Sequence, residues 1–365
     1  MNDSVTPNNQ VPAHLQLPLF EGWLGKTEHE SRTLDLFDAM PKYAFTRTTI
    51  VTRATIIEAS FTFQGHTYRS EITPATLKDE TGKPRLIFPG GREQLVEQAL
   101  RYLAVQSIAK TPVANKNGYS LYCITTLSQV RRVLSTWGHE YKISEIQRAI
   151  DILAGTQISL FYEQPGKSRH RVRKITANIL TQSINDAVVN QGDLENASVA
   201  VAFHPLATKA IFAMAYWPIN VLRVGRLKSP LARWLTMRLS HNFRHAERPT
   251  LLSPGKGYHI LLSTILEERG TQPEKRLRAC VEKVRQALKE MTEADVLNRL
   301  QPFVEELRKK KSGRTLAIED VLWTLYPSKA FAEEIIDGNV AAKPTKALRQ
   351  KLDPVELPFD DEPIK

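Results

Sequence analysis

"ISEIQRAIDILAGTQISLFYEQPGKSRHRVRKITAN" (Ile143–Asn178) changes its period halfway along. Ile143, Ile146, Ile150 and Leu153 recur at steps of three and four, the spacing of one buried helix face, and Gly155 ends the pattern. Ser144 with Gln147 three residues on has the form of a capping box. Beyond Gly155, "QISLFYE" and "RVRKITANILTQSIN" read as two strands. "QPGKSRH" joins them as a turn built on Pro165 and Gly166. The stretch is a helix followed by a β-hairpin.

Upstream, Leu95, Val96, Ala99, Leu100, Leu103 and Ile108 repeat at helical spacing across "EQLVEQALRYLAVQSIAK". After the "NKNGY" turn, "SLYCIT" reads as a short strand. Thr126 caps the next helix with Gln129 three residues on, and Leu127, Val130, Val133, Leu134 and Trp137 face inward. Helix, strand, helix, turn, helix, hairpin is the order of a winged helix-turn-helix domain. The order recurs downstream. Ser229-Pro230 starts a helix with Leu231, Trp234, Leu235, Leu239 and Phe243 on one face. "YHILLSTILEERG" (258–270) predicts a second helix ending at Gly270. "PEKRLRACVEKVRQALKEM" predicts a third, with Leu277, Val281, Val284, Leu288 and Met291 inward. "FVEELRKKKSGRTLAIEDVLWTLYP" predicts a second wing turning at Ser312-Gly313.

The expected fold is therefore α+β, with two tandem winged helix-turn-helix domains at 92–215 and 228–327. A flexible leader over 1–30 and a β-rich lead-in over 31–91 precede them, the latter with a hairpin at Gly65 and "PGG" at 89–91. Residues 338–365 alternate charged clusters with prolines and read as a disordered tail.

The chain has 365 residues, enough for two or three domains, and 42% hydrophobic content, enough for real cores. Its 50 Lys and Arg against 39 acids give +11. That balance points to a polyanion, nucleic acid before an anionic membrane surface. Cys123 and Cys280 have no metal spacing and read as reduced core residues of a cytosolic protein. "MNDSVTPNNQ" has no signal-peptide pattern, and "KAIFAMAYWPINVL" is too short and broken to span a membrane.

Three basic constellations are candidate DNA contacts. "GKSRHRVRK" (166–174) holds Lys167, Arg169, Arg171, Arg173 and Lys174 with no acid. Its alternating arginines share one face of an extended strand and suit phosphates or a narrow minor groove. The helix over 274–291 sets Lys275, Arg278, Glu282, Arg285, Gln286 and Lys289 opposite its apolar stripe. Arg and Gln there can read purine edges, while Lys holds phosphate. An ordinary solvated helix with pairs such as Arg278–Glu282 is the plain alternative. Lys309, Lys310, Lys311 and Arg314 cluster at the second wing tip, as a phosphate contact or a solvated turn. The corresponding first-domain helix exposes Ser144, Gln147, Arg148 and Asp151, so that domain is expected to lean on its wing.

No G-x-x-x-x-G-K-[ST] loop occurs, since "SPGKGYHI" lacks its first glycine and its Ser or Thr. His241 and His245 lack carboxylate support for a metal. No cofactor, metal or catalytic site is expected.

The phrases "QLPLFEGW", "ISEIQRAIDILAGTQISLFYE" and "LKSPLARWLTMRLSHNFR", in that order over 14–300, resemble the replication initiator (Rep) proteins of theta-replicating bacterial plasmids. Within that group the chain is most similar to the TrfA-type initiators of broad-host-range plasmids. The resemblance implies a plasmid-encoded, cytoplasmic, non-enzymatic protein that binds repeated double-stranded origin sites and helps open A·T-rich DNA. It also implies recruitment of the host sliding clamp, replicative helicase and host initiator, a part in copy-number control, and a homodimeric form. Gln16, Leu17, Leu19 and Phe20 match the Q-L-x-L-F peptide of clamp-binding bacterial proteins, with Pro18 at the variable place. A short peptide with Leu19 and Phe20 in an apolar pocket gives weak, reversible recruitment. Packing of the same residues on this protein's own core is the alternative. A winged-helix repressor without a replication role, and a DNA-nicking enzyme with a covalent tyrosine, are the rival functions.

Overall fold

Two separate apolar cores organise the chain, one built mainly before Val221 and one after Leu227. The structure is a computed structural model. It describes residues 30–33, 35–43, 50–51, 56–63, 66–106, 113–115, 118–120, 122–164, 171–183, 198–207, 217–242, 257–268, 277–312 and 315–341.

In chain order the first part runs β1 (Glu30–Thr33), α1 (Asp35–Ala39), β2 (Ile50–Val51), β3 (Ile57–Phe63), β4 (His66–Thr73), β5 (Ala75–Lys78), β6 (Pro84–Ile87) and α2 (Gly91–Gln106). It continues with β7 (Val113–Asn115), β8 (Gly118–Ser120), β9 (Tyr122–Thr126), α3 (Leu127–Thr136), α4 (Ile143–Gly155), β10 (Gln157–Gln164), β11 (Arg171–Asn178), β12 (Leu180–Ser183) and β13 (Ser198–Phe203). The second part runs β14 (Trp217–Asn220), α5 (Val221–Arg226), α6 (Pro230–Asn242), β15 (Tyr258–Leu261), α7 (Leu262–Glu268), α8 (Leu277–Glu293), β16 (Phe303–Ser312), β17 (Thr315–Leu325) and α9 (Lys329–Ala341). The sheets are small and antiparallel, so the fold is mixed α and β.

The first core lies between α2, α3, α4 and two sheets ordered β11-β10-β4-β3 and β12-β13-β9. Strands from both sides of residue 91 thus share one sheet, with Phe161 opposite Arg69 on β4 and opposite Lys174 on β11. Thr126 starts α3 with a complete capping box. Its Oγ1 accepts from Gln129 N at 3.2 Å, and Gln129 Oε1 accepts from Thr126 N at 3.1 Å. The start of α4 differs from the Ser144–Gln147 expectation. Lys142 is the N-cap, and Glu145 Oε2 accepts from its N–H at 2.8 Å. The extended backbone of Lys142 already places its carbonyl at the first helical bond, so Ser144 lies inside the helix.

The second core packs α6, α7, α8 and α9 against a sheet ordered β15-β17-β16. Here the expected helix over 258–270 is corrected. Tyr258–Leu261 pairs with β17, and only Leu262–Glu268 is helical. A short apolar run fits either period, and a partner strand about 60 residues on, opposing Leu261 with Leu322, decides it. The tail expected from 338 is also corrected at its start. Ser328 Oγ accepts from Phe331 N at 3.0 Å at the N-terminus of α9, whose Phe331, Ala332 and Ile335 join the second core. That burial carries the helix to Ala341.

The cores meet along a polar seam. Gly225 of α5 lies flat on Trp137, where an added Cβ would sit 2.5 Å from the indole Cδ2. His139 Nε2 lies 2.7 Å from Gly225 O, and Gln98 Nε2 donates to Met237 Sδ at 3.4 Å. Helix α7 rests against β3, so the second half covers one edge of the first half's sheet.

Candidate nucleic-acid interface

Helix α8 buries Cys280, Val281, Val284, Ala287, Leu288 and Met291 on one face. The 3.6-residue period then forces Arg278, Glu282, Lys283, Gln286, Lys289 and Glu293 outward, and all six are exposed. Three of the predicted contacts, Arg278, Gln286 and Lys289, therefore stand on one open surface. Arg285 does not join them as an open contact. Its Nε donates to Glu305 Oε2 at 2.9 Å and its Nη2 to Glu305 Oε1 at 2.6 Å, a two-pronged pair with β16, and Nη1 bonds Glu282. Trp323 Nε1 donates to the same Glu305 Oε2 at 3.2 Å. The Arg285 bonds hold the Glu305 carboxyl below its ordinary pKa. The pair braces helix against hairpin and fixes their relative position.

The β16–β17 hairpin closes with Ser312 opposite Thr315, and its register slips between Arg308 and Lys309. Such an irregularity increases local twist. Lys310 lies opposite Ala317 near the tip, and Arg308 is exposed at the slip.

Helix α4 occupies the same place in the first half, with a different outcome. Its face toward the first core carries Ile146, Ala149, Ile150 and Leu153. Its other face carries Ile152, which packs with Ala75 and Ile87 of the β5–β6 hairpin. Gly155 lies so close to that hairpin that an added Cβ would sit 2.9 Å from the Ala75 Cβ. Gln147 and Arg148 are half-buried, and Gln147 Nε2 donates to Asp151 Oδ1 at 2.8 Å. Burial raises the Asp151 pKa.

On the first hairpin, Arg171 and Arg173 lie opposite Gln164 and Tyr162, and Lys174 is exposed. The Lys174 ammonium sits 5.1 Å from the Phe161 ring centroid, and the Arg69 guanidinium carbon 4.2 Å from it. A row of cation, aromatic and cation thus crosses three strands. Arg69 is also ion-paired with Glu71 at 2.6 Å. Arg69 and Arg308 were absent from the sequence-based set. Arg69 lies about 90 residues before its hairpin partner Phe161, and only the β4–β10 register joins them. Arg308 adjoins the Lys309–Lys311 run, and that adjacency was the available signal.

Lys167, Arg169, Lys275 and Arg314 lie outside the described residues, as do Gln16, Leu17, Leu19 and Phe20. Among the described residues, no cluster of three metal-ligating side chains occurs, and no helix is long and apolar enough to cross a membrane.

No protein-family model matches the chain, and no curated protein matches it. Solved structures similar to it include two of the same protein. One, of RctB domains 2-3, superposes with a TM-score of 0.42 at 12% identity, covering 83% of this chain and 99% of that one. The other, a selenomethionine derivative of domain 2 and domain 3 of RctB, has a TM-score of 0.43 at 13% identity, covering 80% and 96%.

Proposed function

We propose that the chain is a DNA replication initiator of the theta-plasmid type, nearest the TrfA-type initiators, built on two winged helix-turn-helix units. The observation that carries the reading is the open face of α8. Arg278, Gln286 and Lys289 stand beside a hairpin, basic over Arg308–Lys311, that the Arg285–Glu305 pair locks to the helix. Arginine and glutamine on a groove-sized helix read base edges, and the lysines hold phosphate. The first unit contributes Lys174 and the Arg-rich hairpin 166–174 as phosphate contacts. A net charge of +11 supplies the salt-dependent part of affinity.

In this reading the two units bind repeated duplex sites at a plasmid origin in the cytoplasm. Bending or twisting the DNA across those sites stores a few kcal/mol toward opening neighbouring A·T-rich DNA. No ATP use by this chain is invoked. Gln16, Leu17, Leu19 and Phe20 recruit the sliding clamp, and the host helicase and host initiator assemble at the same origin. The protein takes part in copy-number control and forms a homodimer.

The experiment is a footprint of the purified chain on DNA flanking its own gene, with permanganate as a probe of unpaired thymines. Regularly spaced protection beside reactive thymines is expected. One protected palindrome without reactive thymines would instead make it a repressor. A covalent tyrosine adduct on supercoiled DNA would make it a nicking enzyme.

A further inference from the structure

Between the two cores lies a cavity of about 400 Å³, within the size range of small-molecule sites. Three segments line it: the start of α2 (Gly91, Arg92, Leu95), the α3–α4 turn (Gly138–Tyr141) and the α5–α6 junction (Lys228, Pro230, Arg233). Arg233 is its most buried polar member, at 1% exposure. Its Nε donates to Gln94 Oε1 at 3.1 Å. Its Nη1 donates to Leu227 O at 2.7 Å and Lys228 O at 3.2 Å, and its Nη2 to Gly91 O at 3.0 Å. Every acceptor is neutral. These bonds use four of the five N–H groups of a guanidinium and leave one on Nη2. Among the described residues no carboxylate pairs with Arg233.

A buried cation without a direct ion pair is costly, and among the described residues the nearby acids bond other donors, Glu290 acting on Arg233 only from a distance. Glu93 accepts from Gly90 N and Arg92, and Glu140 from Ser135 Oγ. Glu290 accepts from Lys228 N and Ser229 N. Each carboxylate is spent on a backbone or side-chain donor beside the cavity. Burial lowers the Arg233 pKa to about 10, outweighing the opposing pull of Tyr141 and of the Glu290 carboxylate. Lys228 is exposed at the rim and Arg92 lies beside it.

We infer that this seam is a binding site for a phosphate group, held between the Arg233, Arg92 and Lys228 side chains. Binding there bridges the two halves, because Arg92 belongs to the first core's helix and Lys228 and Arg233 to the second half. The inference is independent of DNA reading by α8. The phosphate can come from a free phosphorylated metabolite or from a DNA backbone, and the test separates the two.

The test is thermal unfolding of the full chain in pyrophosphate against chloride at matched ionic strength, for wild type and Lys228→Ala. Pyrophosphate is expected to raise the wild-type Tm by a few degrees. Lys228→Ala is expected to unfold at the wild-type temperature in chloride and to lose most of the pyrophosphate shift. Arg233→Lys, which keeps the charge without the fork, is expected to lose it too. Duplex-binding measurements then identify the source. Unchanged DNA affinity in Lys228→Ala marks a free metabolite. A roughly tenfold loss, with pyrophosphate competing against duplex, marks a DNA phosphate. No pyrophosphate shift in wild type, or an equal shift in Lys228→Ala, overturns the site.

Discussion

Helices α4 and α8 hold the same rank in their halves, and they meet solvent differently. Each follows a shorter helix and precedes a long antiparallel hairpin. Around α8, nothing in the described structure covers the face carrying Arg278, Gln286 and Lys289. Around α4, the β5–β6 hairpin packs on the corresponding side through Ala75 and Ile87 against Ile152. A helix pressed on two sides cannot lie in a major groove without shedding its cover. The same local order therefore yields a helix with an open polar face in one half and a covered helix in the other, and the deciding element lies outside the order itself.

The largest test of this contrast is charge reversal on α8. Arg278→Glu with Lys289→Glu is expected to weaken specific duplex binding by about 100-fold, since each contact of this kind is worth about 1–3 kcal/mol. Arg148→Glu on α4 is expected to change it by less than about threefold, measured by the same gel-shift titration. Equal losses would erase the distinction.

Next in size is the seam that fixes the halves together. Gly225→Ala places a Cβ against the Trp137 ring and is expected to cost about 1–3 kcal/mol in urea unfolding. Gly138→Ala meets open space but has φ +83, and is expected to cost about 1 kcal/mol through backbone strain alone.

The brace between α8 and its hairpin gives a pH signature opposite in sign to that of the raised Asp151 on α4. Glu305 has a folded pKa below its ordinary value of 4.5, chiefly through the Arg285 bonds. A depressed carboxyl stabilises the fold above its unfolded pKa, and that contribution disappears as pH falls through the folded value. Glu305→Gln is expected to cost about 1 kcal/mol at pH 7, discounted for the partly exposed guanidinium, and progressively less as the pH falls below the ordinary carboxylate value. Urea midpoints measured from neutral into acidic pH follow it. A difference that stays constant with falling pH would contradict the brace.

The smallest effect belongs to the first hairpin. Lys174→Ala with Arg69→Ala is expected to lower the salt slope of DNA binding by about 1–2 while leaving sequence preference unchanged. A change of preferred site would move base reading into the first half.

Sequence periodicity carried much of this contrast as far as α8. Val281, Val284, Leu288 and Met291 define its buried stripe, and the outward positions follow arithmetically. Thr126 and Gln129 gave the start of α3 by local chemistry alone. What failed to show was long-range pairing. Tyr258–Leu261 looked helical because its strand partner lies beyond two helices. Ile152 was passed over because its neighbours Ala75 and Ile87 come from a hairpin some 70 residues upstream. Arg285 looked like a groove contact because Glu305 is invisible as its partner until β16 folds back on α8.

The central claim is that α8, and not α4, touches bases. Both native cysteines, Cys123 and Cys280, are buried, so an introduced surface cysteine can be labelled selectively. A photo-crosslinker at Gln286→Cys or at Gln147→Cys, followed by irradiation on bound duplex, reports the contact directly. The account predicts strong cross-links to bases from position 286 and background yield from position 147. Cross-links to bases from position 147 at equal or greater yield would contradict it.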